Sequence, residues 1–140
     1  MQNVKATGLA LWLFAGTAMA ADAPPFTGAF HGTGRACSGG FYIREKTVEW
    51  ISTFSICKPS RYEVLARDST AGHRRIAVHI KSRSRQCLYE VFEAQQSSTY
   101  GWNINGYQSL ASYRNRALPD WRNSPLEERL ILSCPMVRLN

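Results

Sequence analysis

Apolar and polar residues alternate with period two along most of the chain, which is the signature of half-buried β-strands. Across residues 47–56, Val48, Trp50, Phe54 and Ile56 share one face and Glu49, Thr53 and Ser55 the other, with Ile51 out of phase. Tyr62, Val64 and Ala66 alternate with Glu63, Leu65 and Arg67, and Ile76, Val78 and Ile80 alternate with Ala77, His79 and Lys81. Cys87, Tyr89 and Val91 alternate with Leu88, Glu90 and Phe92, and Leu130, Leu132, Cys134 and Met136 repeat in the same way. Residues 26–36 and 41–45 read as two further strands. In the first of these, Gly28, Gly32 and Gly34 fall on one face, as a sharply bent or closely approached strand requires. No segment carries a sustained helical stripe.

Turn chemistry separates these runs. Ser38-Gly39-Gly40, residues 68–72, residues 82–84 and Asn105-Gly106 all read as hairpin connections. Asn105-Gly106 predicts a type I′ turn between strands at 100–105 and 107–113. Residues 115–125 lose the alternation and predict an irregular loop or one short helical turn. About eight short strands joined by tight turns predict an all-β fold, a small antiparallel up-and-down barrel. The alternative is a two-sheet sandwich, which the run of consecutive hairpins disfavours.

The chain has 140 residues, 44% of them hydrophobic and 19% charged. That supports one domain with a real core, and excludes a TIM barrel, a large two-domain dehydrogenase and intrinsic disorder. Residues 1–20 read as a cleavable signal peptide: Lys5 precedes an apolar run from Leu9 to Met19, and Ala18-Met19-Ala20 offers a small-x-small cleavage site. The run is too short to cross a bilayer, and no later stretch is long and apolar enough. Residues 21–140 are therefore expected to form a single periplasmic or secreted domain with no transmembrane segment.

Four cysteines remain after the leader, Cys37, Cys57, Cys87 and Cys134, and an even count in an exported chain implies two disulfides. No spacing suits a metal site, and no cofactor motif is present. If three successive antiparallel strands end at residue 56, Cys37 and Cys57 lie at the same end, so the expected pairs are Cys37–Cys57 and Cys87–Cys134.

The net charge of +7 falls by one when Lys5 leaves with the leader, and 13 of the 17 basic residues are arginine. Arg74, Arg75, Lys81, Arg83 and Arg85 cluster around one strand; Arg114, Arg116 and Arg122 stand beside Tyr113 and Trp121. Arginine forks suit carboxylates and phosphates. Residues 97–121 interleave Tyr100, Trp102, Tyr107, Tyr113 and Trp121 with amides, as a contact surface or sugar platform does. The competing use of these aromatics is to plug the barrel. The candidate binding set is Tyr100, Trp102, Tyr107, Tyr113, Arg114, Arg116, Trp121, Arg74 and Arg75.

Gly28-Ala29-Phe30 on the first strand, with Arg138 on the last, resembles the G-x-W and terminal-arginine pairing of calycin barrels such as lipocalins and avidins, with Phe in place of Trp. The resemblance implies the fold alone. In size, disulfides and barrel reading the chain is also similar to the periplasmic inhibitors of C-type lysozyme. Their serine-glycine-x-x-tyrosine inhibitory loop is not expected here in recognisable form, and a basic chain would be repelled by a basic lysozyme.

These features lead to the expectation of an exported, non-enzymatic protein that binds a protein, glycan or other anionic envelope component through arginines and aromatics. One alternative is a small basic ribonuclease using His31, His79 and Lys58, which gives nucleic acid a weaker place among the partners. Another is an envelope structural protein.

Overall fold

In the computed structural model, residues 24–129 and 131–140 are described. The signal-peptide reading, its cleavage site and Leu130 lie outside them. Eight strands follow one another around a closed antiparallel barrel in chain order: β1 (Gly28–Gly32), β2 (Gly39–Ile43), β3 (Thr47–Ile51), β4 (Ile56–Asp68), β5 (Arg75–Ile80), β6 (Val91–Gln96), β7 (Gly101–Tyr107) and β8 (Ile131–Leu139). β8 pairs with both β7 and β1, for example Met136 with Gly32 and Cys134 with Ile104. That closure excludes the sandwich and leaves no unpaired sheet edge among the described residues.

The alternation decides which side chains enter the barrel. Phe30, Phe41, Ile43, Val48, Trp50, Phe92, Trp102 and Ile104 are almost fully buried in one cluster. Their rings meet edge to face, as in Phe30 and Trp102 with centroids 5.2 Å apart and Phe41 and Trp50 at 5.9 Å, the arrangement ring quadrupoles prefer. The interior is filled by side chains, as small barrels require.

Several predicted elements move. The strand expected over 47–56 ends at Ile51, because Ser52 to Ser55 form a turn in which the Ser52 amide donates to the Ser55 carbonyl at 2.9 Å. Val48 and Trp50 therefore face the core, whereas Phe54 and Ile56, expected beside them, are exposed. The strand expected at 62–67 is the second half of the long β4, and the one expected from Cys87 begins only at Val91.

Asn105-Gly106 is not a hairpin turn but the continuation of β7. A Cβ at position 106 would come within 2.8 Å of both Trp50 and Tyr89. Those two rings stack 5.5 Å apart, so glycine is required there for close packing rather than for positive φ. Gly32 plays a similar part: a Cβ there would lie 2.4 Å from the Cys37 carbonyl oxygen. The strand predicted over 107–113 is instead the helix α1 (Leu110–Asn115), started by the Ser109 hydroxyl accepting from the Ser112 amide at 3.0 Å. A 3₁₀ turn (Trp121–Asn123) and the short α2 (Leu126–Arg129) complete the connection to β8.

The disulfides are Cys37–Cys134 and Cys57–Cys87, with Cα separations of 5.5 and 4.4 Å, which corrects the expected pairing. Cys57 does lie at the same end as Cys37, on the returning strand opposite Trp50, but each is met by a nearer partner. Its partner comes from the 81–90 connection, tied to the same place by the Ile56 amide donating to the Gln86 carbonyl at 3.0 Å. Cys37 meets Cys134 because closure brings β8 beside β1.

Candidate functional site

Alternating strand directions sort the connections between two ends. Residues 33–38, 52–55, 81–90 and 108–130 join strands at the end clasped by the disulfides. Residues 44–46, 69–74 and 97–100 join them at the other, where β1 begins and β8 finishes.

The second end is rich in arginine. Phe26, from the segment before β1, covers Trp102 edge to face with centroids 5.7 Å apart. Arg74 places its guanidinium carbon 5.3 Å from the centre of the Trp102 ring, and Arg138 places its own at 5.8 Å. Arg138 also donates to the Thr27 carbonyl at 2.6 Å, Arg74 to the Gln96 side-chain carbonyl at 3.4 Å, and Arg67 to the Pro24 carbonyl at 2.6 Å. Neither Arg74 nor Arg138 forms an ion pair among the described residues. Burial, and then the charge of Arg74, pull the Arg138 pKa below its ordinary value. Two like charges are thus held against the same aromatic ring and carbonyl oxygens, neither of them in an ion pair among the described residues.

A cleft of about 690 Å³ opens on this pair, lined also by Thr99, Tyr100 and Val137. A neighbouring hollow of about 350 Å³ shares Arg74 and Arg138 and adds Arg67 and Asp68. The Asp68 carboxylate accepts from the Thr70 amide at 2.8 Å, and hydrogen bonding from Thr70 keeps its pKa below the usual carboxylate range. Tyr100 is 80% exposed at the rim.

The predicted site residues separate into distinct groups. Tyr100 and Arg74 stand at this cleft, with Trp102 beneath them as buried wall. Tyr107 and Tyr113 are buried on the outside of the barrel, where α1 covers it, in a second cluster with Ala77 and Val91. Their rings lie 5.3 Å apart at 81°. Arg75 and Arg116 serve the same region by converging on the buried Glu93. Arg75 donates to the Glu93 carboxylate at 2.7 Å and to the Tyr113 hydroxyl at 2.8 Å. Arg116 pairs with Glu93 at 3.5 Å and lies 4.0 Å from the centre of the Tyr113 ring. Asn105 and Tyr107 also donate to Glu93, at 3.0 and 3.2 Å. Arg114 is exposed on α1, and Trp121 is half-buried on the 108–130 connection at the disulfide end. The segment 97–121 therefore does not form one platform, since Tyr100 and Trp121 belong to opposite ends.

Two residues escaped the sequence reading of the site. Arg138 entered only through the resemblance; its place opposite Phe30 at the closing β1–β8 pair is the signal that selects it. Glu93 sits among apolar neighbours on β6, and a lone acid in a buried strand marks such a hub.

The histidines do not converge. His31 on β1 is exposed on the outside, and His79 on β5, separated from it by three strands in either direction, faces Glu63 at 3.2 Å. Lys58 belongs to the start of β4 at the disulfide end. The serine-glycine-x-x-tyrosine spacing does occur, as Ser38-Gly39-Gly40-Phe41-Tyr42. Here most of it is strand β2, with Phe41 in the core and the Tyr42 ring outside, under Arg44 at 5.6 Å. Comparison with family models, with characterised proteins and with solved structures gives no match.

Proposed function

We propose that this is an exported, non-enzymatic barrel that binds an anionic partner at the Arg74–Arg138 cleft. The observation that carries the reading is the unpaired couple: two guanidinium groups, each within 6 Å of the centre of the Trp102 ring and without an ion pair among the described residues, beside a cleft and an exposed tyrosine. Arginine's planar fork accepts a carboxylate or phosphate in two parallel hydrogen bonds. A group bridging Arg74 and Arg138 would also relieve their mutual repulsion. Tyr100 supplies a rigid, amphipathic contact surface at the rim. The acidic sugars and phosphorylated glycans of a cell envelope present this chemistry, with ring faces for the tyrosine. The outward, separated placement of His31 and His79 supports binding over phosphodiester chemistry.

The test is calorimetric titration at low salt with a uronic-acid oligosaccharide, a neutral oligosaccharide of equal length and inorganic phosphate. The acidic oligosaccharide binds the wild type and the neutral one does not. Arg74→Ala, whose side chain ties no chain terminus, weakens binding at least about tenfold with the melting temperature unchanged, as loss of one charge-assisted pair implies. Equal affinity in wild type and Arg74→Ala refutes this site.

A further inference from the structure

The opposite end of the barrel has inverted polarity. In the 52–55 turn the serines point inward, with Ser52 6% and Ser55 3% exposed, whereas Phe54 at the turn is 65% exposed. Ile51 and Ile56, paired across the turn, and Leu88 from the adjoining connection are exposed beside it. Surface turns ordinarily present polar side chains, so a contiguous apolar group here marks a contact surface.

This patch is held rigidly. The Cys57–Cys87 disulfide joins its two segments. The Leu88 amide donates to the Ser55 hydroxyl at 3.1 Å, and the Ser84 hydroxyl donates to the Ile56 carbonyl at 3.1 Å while accepting from the Lys58 amide at 3.2 Å. The frame ties the two segments together, and Phe54, Ile51, Ile56 and Leu88 remain exposed on it.

The surrounding charge is mainly positive, although the connections at this end also carry Glu90, which faces Arg83 at 3.9 Å, and Asp120. Residues 33–40, 51–60 and 82–89 contain Arg35, Lys58, Arg83 and Arg85 and no Asp or Glu. All four are exposed, and among the described residues Arg35, Lys58 and Arg85 form no ion pair. A protruding aromatic and aliphatic tip ringed by cations matches an anionic bilayer interface: the apolar side chains reach the acyl boundary, and the cations meet the headgroups.

We propose that the disulfide end docks on a membrane surface carrying anionic lipid headgroups, with Phe54 inserted and Lys58 and Arg85 on the headgroups. The barrel then stands with its arginine cleft facing away from the bilayer. Docking by one end is independent of what occupies the other.

The experiment is co-sedimentation of the oxidised protein with phosphatidylcholine vesicles, alone or with phosphatidylglycerol added. Wild type sediments only with the mixed vesicles, and less as salt rises. Phe54→Asp and the pair Lys58→Glu and Arg85→Glu each weaken binding about tenfold or more. Lys46→Glu, which makes the same charge change as Lys58→Glu alone but in the β2–β3 connection at the opposite end, leaves it unaltered. Circular dichroism of each variant confirms the fold, which exposed positions tolerate. Equal loss in Lys46→Glu and Lys58→Glu would reduce the effect to net charge and overturn the proposal. So would undiminished binding of Phe54→Asp, or a wild-type dimer in sedimentation velocity that Phe54→Asp dissociates, which would assign the patch to a second copy.

Discussion

The guanidinium of Arg138, on the last strand, stands 5.8 Å from the centre of the Trp102 ring, which is buried inside the barrel. The ring thus plugs the interior and presents a face to a cation at the barrel's end. Those two uses make different demands. Trp102→Ala empties a filled core and should destabilise by about 3–5 kcal/mol, the usual range for a buried large aromatic. Tyr100→Ala removes an exposed ring and should leave the denaturation midpoint within about 0.5 kcal/mol of wild type, while weakening binding of the acidic oligosaccharide. Urea denaturation of both variants separates them. A stable Trp102→Ala that merely loses ligand would return that ring to the surface.

Glu93 organises the outer cluster under α1. Its carboxylate receives Arg75, Arg116, Asn105 and Tyr107, so removing its charge leaves two half-buried cations without their partner. Glu93→Gln is expected to destabilise by about 3–5 kcal/mol, since breaking a buried pair from one side exposes the desolvation penalty of the other. Replacing Glu93, Arg75 and Arg116 together by apolar residues should recover much of that loss. Urea denaturation of the single and triple variants checks both statements.

What was legible in the chain was mostly local. The alternation of Val48 with Glu49 and of Ile76, Val78 and Ile80 with their neighbours is set by one strand's own geometry, and the eight-stranded closed barrel follows from many such strands joined by short turns. Features set by tertiary neighbours were not legible. Asn105-Gly106 has the local preference of a turn, and only the Trp50–Tyr89 stack beside Gly106 shows why glycine is needed inside a strand. The disulfide partners depend on which connection meets Cys57 and on which strand closes against β1. Of the candidate site, Arg74 and Tyr100 remain at a common cleft. Arg75, Arg116, Tyr107 and Tyr113 share the chemistry of a binding surface but are used to seat a helix, a distinction that composition does not carry.

Alkaline pH should find a weak point at Tyr107. Burial, and then the nearby charge of Glu93, push its phenol pKa well above the ordinary 10.0. Burial raises Tyr62 and Tyr89 in the same direction. The folded chain therefore favours the neutral phenol, whereas the unfolded chain releases its proton near pH 10. The associated stability is complete below that pH and is lost as pH rises toward the raised folded value. Melting temperature should fall steadily above about pH 10, with a shallower fall in Tyr107→Phe, which lacks the ionisable hydroxyl. Parallel curves for the two proteins would show that Tyr107 does not contribute.

The two disulfides should differ in what they contribute, because they close different lengths of chain. Cys37–Cys134 spans 97 residues and Cys57–Cys87 spans 30. If the bridges act by restricting the unfolded chain, loop entropy gives about 4–5 kcal/mol for the first and about 3–4 kcal/mol for the second. The first also ties the last strand to the connection leaving the first, so its loss frees the barrel's closing seam. The paired substitution Cys37→Ala with Cys134→Ala should therefore cost about 1 kcal/mol more than Cys57→Ala with Cys87→Ala. Cysteine pairs are removed together so that no free thiol remains to mispair. The shorter bridge has a local task instead, since it frames the exposed Phe54 turn. Its removal should lower protection from hydrogen exchange at residues 52–58 and 84–88 with little change around Trp102. If both paired variants open the same amides by the same amount, the bridges act through overall stability, and the frame around Phe54 does not depend on its own disulfide.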